Sequence, residues 1–496
     1  MISRMQSSGQ DAPNPKPPIQ IADLLVSYLA QLNVEYVFGV PGGAIEPLYN
    51  ALARSMRHGG PRPIVARHET GAAFMADGYF RQTGKLGVCC ATTGHGATNL
   101  ITGVASAYEN QIPMLVITGQ TSLSNFGRGA LQESSCTGTN IVAMFQYCSR
   151  YTTLVSHSHQ LENKLVSAVI TAYGTPRGPS HLSIPWDILR CPAPAGKPSF
   201  DLTRMIGQSA LVDYGSIESL VREIGKARRL VFLIGSGCRE SIDTITALAE
   251  RVGADIIATP GGKGLIDPYH PLFKGILGFA GHTSARATLI HSEVDAVIAI
   301  GTSLGEWASN GWDCSAVLNG RLIHVDSIQN HLSHSPMAKL HVLGDIGAIF
   351  KALINRFERE TPAQSFTERS AEKHGPPESK IEQSRLPFAV SESTKCAYQG
   401  APVKPQALMW TVAELFPREA VFLADTGNSL DWDIHYLHPR LQEFKGDSTP
   451  RDTYRTCTEF VSMGWAIGAA VGTALGNPGM PVVCFTGDGS LLMNGQ

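Results

Sequence analysis

Apolar residues in this chain fall into short runs that alternate with stretches of helical spacing. Ile21, Leu24, Leu25, Tyr28 and Leu32 recur at i, i+3 and i+4 and predict a helix. Val34 to Val40 reads as a strand ending at Pro41-Gly42-Gly43. Leu86 to Ala91 is another, running into Thr92-Thr93-Gly94-His95-Gly96-Ala97, and Met114 to Thr118 a third, closed by Gly119-Gln120. Continuous apolar runs between helical stretches imply a parallel sheet covered on both faces. The same alternation returns at Leu230 to Ile234, Val294 to Ile300 and Arg321 to Asp326. It returns again at Ala420 to Ala424 and Met480 to Thr486, with a helix over Gln406 to Leu415 and a small-residue helix over Met463 to Leu475. The chain therefore divides into three α/β blocks, residues 20–190, 202–357 and 401–496, after a polar tail over 1–19 predicted to be disordered. Cys191 to Pro198 and the polar stretch 358–400 read as linkers.

Composition narrows the function classes. Charged residues make up 17%, below the usual ~25%. Forty basic and 42 acidic residues leave a net charge of −2, so no global field selects nucleic acid. The ten cysteines are scattered without a Cys-x-x-Cys, which fits neither a zinc site nor a disulfide framework and predicts buried free thiols. Met1 to Pro18 has no apolar stretch for a signal peptide, and Met463 to Leu475 is too short to span a bilayer. The expectation is a soluble, cytoplasmic protein with no membrane partner.

Candidate chemistry gathers at strand ends. Gly487-Asp488-Gly489-Ser490 follows a strand: its glycines admit an anion to backbone amides, and its carboxylate suits a divalent cation bridging diphosphate oxygens. Gly42-Gly43 and Gly94-x-Gly96 also follow strands, the ends at which open parallel sheets bind ligands. Glu69 precedes a helical stretch, so its carboxylate either complements the helix dipole or, buried against a ligand, holds or delivers a proton. Each motif alone reads equally as a turn or an ordinary polar residue, and His68, His95 and Gln132-Glu133 alone carry nothing.

Together the motifs resemble a family. Phe38-Gly39-Val40-Pro41-Gly42-Gly43, Arg67-His68-Glu69 and Gly71 to Tyr79 come first. Gly94-x-Gly96-Ala97-Thr98-Asn99, Ile117-Thr118-Gly119-Gln120, Gln132-Glu133, Pro176-Arg177-Gly178-Pro179 and Gly487-Asp488-Gly489-Ser490 follow in order. The series resembles the thiamine-diphosphate-dependent enzymes, closest to the acetolactate synthase large subunit, over residues 20–496. That resemblance implies an α/β fold of three doubly wound parallel-sheet domains: pyrimidine-binding, central and diphosphate-binding. It implies thiamine diphosphate and Mg2+ as cofactors, a small 2-oxo acid as substrate, and decarboxylation with the cofactor as electron sink. A homodimer or tetramer follows, because in this family the pyrimidine domain of one subunit faces the diphosphate domain of another.

Roles carry over residue by residue. Glu69 matches the carboxylate that bonds the aminopyrimidine, and Gly42 the backbone near the reacting carbonyl. Gln132 matches a polar group facing the substrate. Met463 matches the wedge beneath the cofactor. Gly427, Asn428, Gly487, Gly489 and Ser490 match the diphosphate loops, and Asp488 the first metal ligand. His95 stands where acetolactate synthases carry proline, placing an imidazole near the substrate, and Leu131 replaces the phenylalanine before Gln132. Asp425-Thr426-Gly427-Asn428-Ser429 replaces the usual Asp-Val-Gly-Gln-His. Gly301-Thr302-Ser303-Leu304-Gly305-Glu306 replaces an arginine-bearing flavin loop, so FAD is expected to be weak or absent although Gly235-Ser236-Gly237 and Gly275 to His282 remain. The chain ends before the asparagine that supplies the family's second metal ligand, so an incomplete third domain is expected. Two alternatives stand beside the acetolactate-synthase-like carboligase: a 2-oxo-acid decarboxylase or acyloin synthase of secondary metabolism, and a truncated non-catalytic relative.

Overall fold

The computed structural model describes residues 18–194, 196–206, 212–360, 385–416, 420–440 and 452–495. Three parallel sheets account for the strands. The first comprises β1 (Tyr36–Gly39), β2 (Arg62–Val65), β3 (Gly87–Ala91), β4 (Met114–Gln120), β5 (Tyr151–Leu154) and β6 (Pro179–Pro185), in the order β2-β1-β3-β4-β6-β5. The second comprises β7 (Leu230–Ile234), β8 (Asp255–Ala258), β9 (Phe273–Ile276), β10 (Ala296–Ile300), β11 (Leu322–Asp326) and β12 (Leu340–Leu343), in the order β12-β11-β10-β7-β8-β9. The third holds β13 (Val421–Ala424) between β14 (Tyr454–Thr456) and β15 (Val482–Phe485).

The inner strands are buried on both faces, which is why β3, β7, β10 and β13 read as unbroken apolar runs. In β7, Leu230, Phe232 and Ile234 enter one core while Val231 and Leu233 enter another. In β3, Val88 and Cys90 face one core, and Cys89 and Ala91 the other. In β13, Phe422 and Ala424 join the central core, and Val421 and Leu423 a core shared with Trp465. Strand order reverses between β1 and β3 in the first sheet and between β7 and β10 in the second, opening a crevice at the carboxyl ends of each pair.

Two helices set the arrangement of the first and third sheets. Helix α1 (Glu69–Thr83) and helix α2 (Trp465–Gly476) run side by side. A methyl group on Gly472 would stand 1.9 Å from Met75 O, and one on Gly78 2.0 Å from Ala469 O. Gly468 faces Gly71 and Phe74, and Gly476 faces Thr83, so contacts advance in step and the helices run in the same direction. The apolar, small-residue character of α2 thus serves close helix approach rather than a membrane. Among the described residues no helix is long and apolar enough to cross one.

A buried polar cluster joins the three sheet units. Asp77 on α1 accepts from Arg81 Nε at 2.6 Å and from Trp465 Nε1 at 2.9 Å. The Arg81 guanidinium lies 4.8 Å from the Trp465 ring centre, and its Nη1 donates to Thr456 O at 3.1 Å. Asp452 pairs with Arg239, which follows β7, and with Arg455 on β14. Burial, reinforced by neighbouring guanidinium charge, pulls Arg239 and Arg455 down to about 9.

Several elements differ from their sequence expectation. The helix expected over Met463 to Leu475 begins at Trp465, because Gly464 adopts left-handed φ +83 and Met463 lies in the preceding loop. Strand β4 continues through Gly119 and Gln120. The helix Ile346–Glu360 extends past the expected linker start at residue 358. Residues 361–384 of that linker and 1–17 of the tail lie outside the described residues. All ten cysteines are free thiols, but Cys136 and Cys314 are exposed, against the expectation of uniform burial.

The helix contact yields the first prediction. Gly472→Ala should lower stability by about 1–3 kcal/mol through overpacking, seen as a lower urea midpoint at unchanged slope. Gly479→Ala, whose added methyl group meets nothing within 4 Å, should leave the midpoint in place.

Candidate active site

The expected site residues form two groups. The first collects at the ends of β1 and β3, where the first sheet reverses its order. Gly42 follows β1 so closely against Thr92 that a methyl group there would stand 2.6 Å from Thr92 Cβ. Beyond β3 the backbone turns through Gly94 at φ +63 into the short helix His95–Asn99. A methyl group on Gly96 would meet Thr92 Cγ2 at 2.8 Å and Glu69 Oε1 at 3.1 Å. Only glycine leaves this carboxylate room at that point.

Glu69 is the first residue of α1 and is buried. His68 caps the helix, its ring nitrogen accepting from Thr70 N at 3.2 Å. Asn99 Nδ2 donates to Glu69 Oε2 at 3.0 Å, which orients the carboxylate and leaves Oε1 toward Gly96. Asn99 is a site residue that sequence reasoning passed over, although it closes the motif that begins at Gly94. His95 is exposed at the start of its helix. Gln132 is exposed and stands beside Gly94, with a left-handed backbone at φ +59. Its neighbour Glu133 accepts from Gly127 N at 2.8 Å, from Ser135 and from Thr137, and these donors pull its carboxyl down to about 2.

The second group lies at the ends of β13 and β15, adjacent strands of the third sheet. Gly427 follows β13 at φ +103 and caps the helix Asn428–Tyr436; a methyl group there would meet nothing within 4 Å. Gly487 follows β15, again with open space beside it, and precedes the helix Asp488–Asn494. Asn428 and Asp488 are exposed, and Asp488 Oδ1 accepts from Gly489 N at 2.9 Å. Met463 reaches over this loop, its Cε 3.2 Å from where a Gly489 methyl group would be. Met463 is 41% exposed and lies outside the helix that the sequence predicted to begin with it.

Asp425, also missed by sequence reasoning as a functional group, holds this end together. It is buried, and its carboxylate accepts from Gly464 N at 2.9 Å and from Thr486 Oγ1 at 3.1 Å. Burial raises its pKa, while the hydrogen bonds from Thr426, Thr486 and Gly464 oppose that shift. Asn494 Nδ2 donates to Met463 O at 3.1 Å, so the Met463 loop is fastened on both sides. Ser490 is buried against the Asp425 carboxylate.

No hydrogen bond among the described residues joins the two groups. Yet Glu69 opens α1, Met463 and Gly464 precede α2, and these helices run in the same direction. Both groups therefore lie at one end of the helix pair. Among the described residues no set of three or more His, Cys, Asp or Glu side chains is arranged to hold a metal ion. A cation at Asp488 would need oxygens from outside the protein's acidic residues.

A third crevice opens where the central sheet reverses, between β7 and β10. Its base is closed by backbone: Gly237 N donates to Gly301 O at 2.9 Å, and a methyl group on Gly235 would meet that oxygen at 2.2 Å. Above it lies a cleft of about 240 Å³ lined by Ser236, Thr259, Ser303, Glu306, Trp307 and Glu459 among others. Among the described residues no lysine, arginine or histidine lines it.

Three family models match the chain in order: the N-terminal TPP binding domain of thiamine pyrophosphate enzymes over residues 19–142, their central domain over 217–353, and their C-terminal TPP binding domain over 440–496. The chain is 30% identical over 484 residues to acetolactate synthase isozyme 1 large subunit of Escherichia coli (strain K12), covering 96% of this chain and 78% of that protein. It is 28% identical over 488 residues to a probable acetolactate synthase large subunit of Methanococcus aeolicus, covering 96% of this chain and 77% of the relative. Against acetolactate synthase 1, chloroplastic, of Zea mays it is 28% identical over 498 residues, covering 97% and 71%.

The Asp425 geometry gives the second prediction. Asp425→Ala leaves Gly464 N and Thr486 Oγ1 unpaired and should destabilise the third sheet by about 1–3 kcal/mol. Amide hydrogen exchange should accelerate at Gly464 while the β7 amides keep their protection.

Proposed function

This chain belongs to the thiamine pyrophosphate enzymes, with the acetolactate synthase large subunits as relatives over most of its length, and from that premise we propose that it decarboxylates a 2-oxo acid and transfers the acyl unit to an acceptor. The observation that carries this reading is the buried Glu69 carboxylate at the start of α1, with Asn99 on one oxygen and Gly96 beside the other.

The residues fit the cofactor. Gly427 and Gly487 leave open space beside adjacent strand ends, and Gly489 leaves room beneath Met463. When bound, thiamine diphosphate supplies the nucleophilic carbon and the electron sink for decarboxylation. Glu69 Oε1 would hold the aminopyrimidine and share a proton with it, while Asn99 holds Oε2 and fixes the carboxylate plane. The Met463 thioether would pack against the cofactor, its loop fastened by Asp425 and Asn494. Gly487, Gly489 and Ser490 flank the diphosphate, with Gly427 and Asn428 on the neighbouring strand end. Asp488 would hold Mg2+, whose charge would offset that of the diphosphate. Gly42 brings backbone close to the reacting carbonyl. Gln132 and His95, both exposed beside Gly94, donate hydrogen bonds to the substrate.

The lining of the central crevice argues against FAD. A dinucleotide's diphosphate favours cationic partners, and among the described residues lining this cleft Glu306 and Glu459 are charged and none is basic. The missing arginines between Gly301 and Trp307 support the same reading. That same feature, with His95, favours the second reading, a 2-oxo-acid decarboxylase or acyloin synthase. We further propose a homodimer or tetramer in the cytoplasm. Leu131, Leu492 and Met493, 87%, 83% and 60% exposed beside the two groups, are apolar surface that a second copy would cover.

Two predictions test this reading. Glu69→Gln should abolish most turnover of a 2-oxo acid yet keep the circular dichroism spectrum and the thiamine diphosphate affinity. EDTA or Asp488→Ala should weaken that affinity about tenfold or more, measured by tryptophan fluorescence. Unchanged rates in the first, or equal affinities in the second, would contradict the assigned roles. Separately, the purified protein should show no flavin absorbance, and added FAD should leave the rate unchanged.

A further inference from the structure

We infer that a buried hydrogen-bond chain from Gln120 through Ser134 and Thr93 positions Gln132, an inference that rests on the reading of Gln132 as a substrate-facing group. Gln120 is the last residue of β4 and Thr93 lies just beyond β3, so both are fixed by neighbouring strands of the first sheet. Gln120, Ser134 and Thr93 are each 1% exposed.

Their polar atoms form one connected cluster. Gln120 Nε2 donates to Ser134 Oγ at 3.1 Å. The Ser134 hydroxyl lies 2.5 Å from Thr93 Oγ1, and Thr93 Oγ1 lies 3.0 Å from Gln132 O, which can only accept. Gln120 Nε2 donates to Ser134, and the Thr93 hydroxyl, which stands 3.1 Å from Gln120 Oε1 as well, reaches the Gln132 carbonyl from the same buried cluster. Gln120 Oε1 accepts from Ser134 N at 3.2 Å and from Thr121 N at 2.9 Å, which satisfies the other half of the amide. Gly94 N donates to Ser134 Oγ at 3.3 Å, tying the loop that carries His95 to the same chain.

The chain acts on a residue with reason to move. Gln132 holds a left-handed backbone, φ +59, that non-glycine residues rarely adopt. Its side chain is exposed and has no hydrogen-bond partner among the described residues, so nothing but its backbone aims it. With the carbonyl held from below, the side chain projects outward beside Gly94. Gln120, Ser134 and Thr93 are positioning residues; none is exposed to meet a substrate.

The test uses the full chain loaded with thiamine diphosphate and Mg2+, with pyruvate as donor. Gln132→Ala, Gln120→Met, Thr93→Val and Thr93→Ser are compared singly, and the first three also in pairs. Gln120→Met and Thr93→Val should each lower kcat/KM about tenfold and add no further loss on a Gln132→Ala background. Thr93→Ser, which keeps the hydroxyl, should retain the rate. Independently of activity, hydrogen exchange over residues 131–135 should accelerate in Gln120→Met and Thr93→Val, with thiamine diphosphate affinity unchanged. Losses that add in the double variants, or unchanged exchange over 131–135, would overturn the positioning role while leaving Gln132 in place. A fully active Gln132→Ala would overturn both it and the role assigned to Gln132.

Discussion

The approach of α1 and α2 is the constraint on which the rest of the site depends. Met75 O would lie 1.9 Å from a methyl group on Gly472, so the helices touch backbone to backbone. Contact at that distance fixes both separation and stagger, because no side chain intervenes to adjust. Glu69 opens one helix, and Met463 and Gly464 precede the other, so the stagger sets where the two groups of one chain stand relative to each other. The Asp77, Arg81 and Trp465 contacts lock the same pair laterally. Their burial makes the lock sensitive to loss of any member: a remaining guanidinium or carboxylate would be left unpaired away from water.

The three sheets apply one rule of parallel architecture to different ends. Ligand crevices open where neighbouring strands send their connections in opposite directions. In the first sheet, that place holds the Gly42, Gly96 and Glu69 arrangement. In the third, adjacent strand ends hold Gly427 and Gly487 with space beside them. In the central sheet the same topology is present, but backbone contact between Gly237 and Gly301 closes its floor, and carboxylates line the cleft above. Fold alone offers three crevices; the side chains at each decide which can receive a phosphate.

Both groups of candidate site residues rest on buried polar side chains. Asp425 beneath Met463 and Gln120 beneath Gln132 each stand at or just past a strand end. Each spends its hydrogen bonds on a loop with a left-handed residue, Gly464 in one and Gln132 in the other. The strand supplies a rigid origin and the buried polar group transmits it, which is how an irregular loop acquires one defined geometry.

The apolar runs, glycine clusters and motif order by themselves determined the alternating strands and helices, the three parallel sheets and the residues gathered at their ends. These are local properties: a run buried on both faces must be apolar throughout, and a tight turn past a strand needs glycine. The sequence misplaced the start of α2 by two residues, because the Gly464 turn that frees Met463 is set by a carboxylate on another strand, Asp425. It passed over Asn99, Gln120 and Asp425, whose residue types are common and whose partners lie 30, 14 and 39 residues away. It gave no sign of the charge cluster that joins Arg239 to Asp452, nor of the acidic lining of the central cleft. Those depend on which strand ends meet across sheets, and only the tertiary structure decides that, because hydrogen bonds and ion pairs act between atoms in contact and leave no period along the chain.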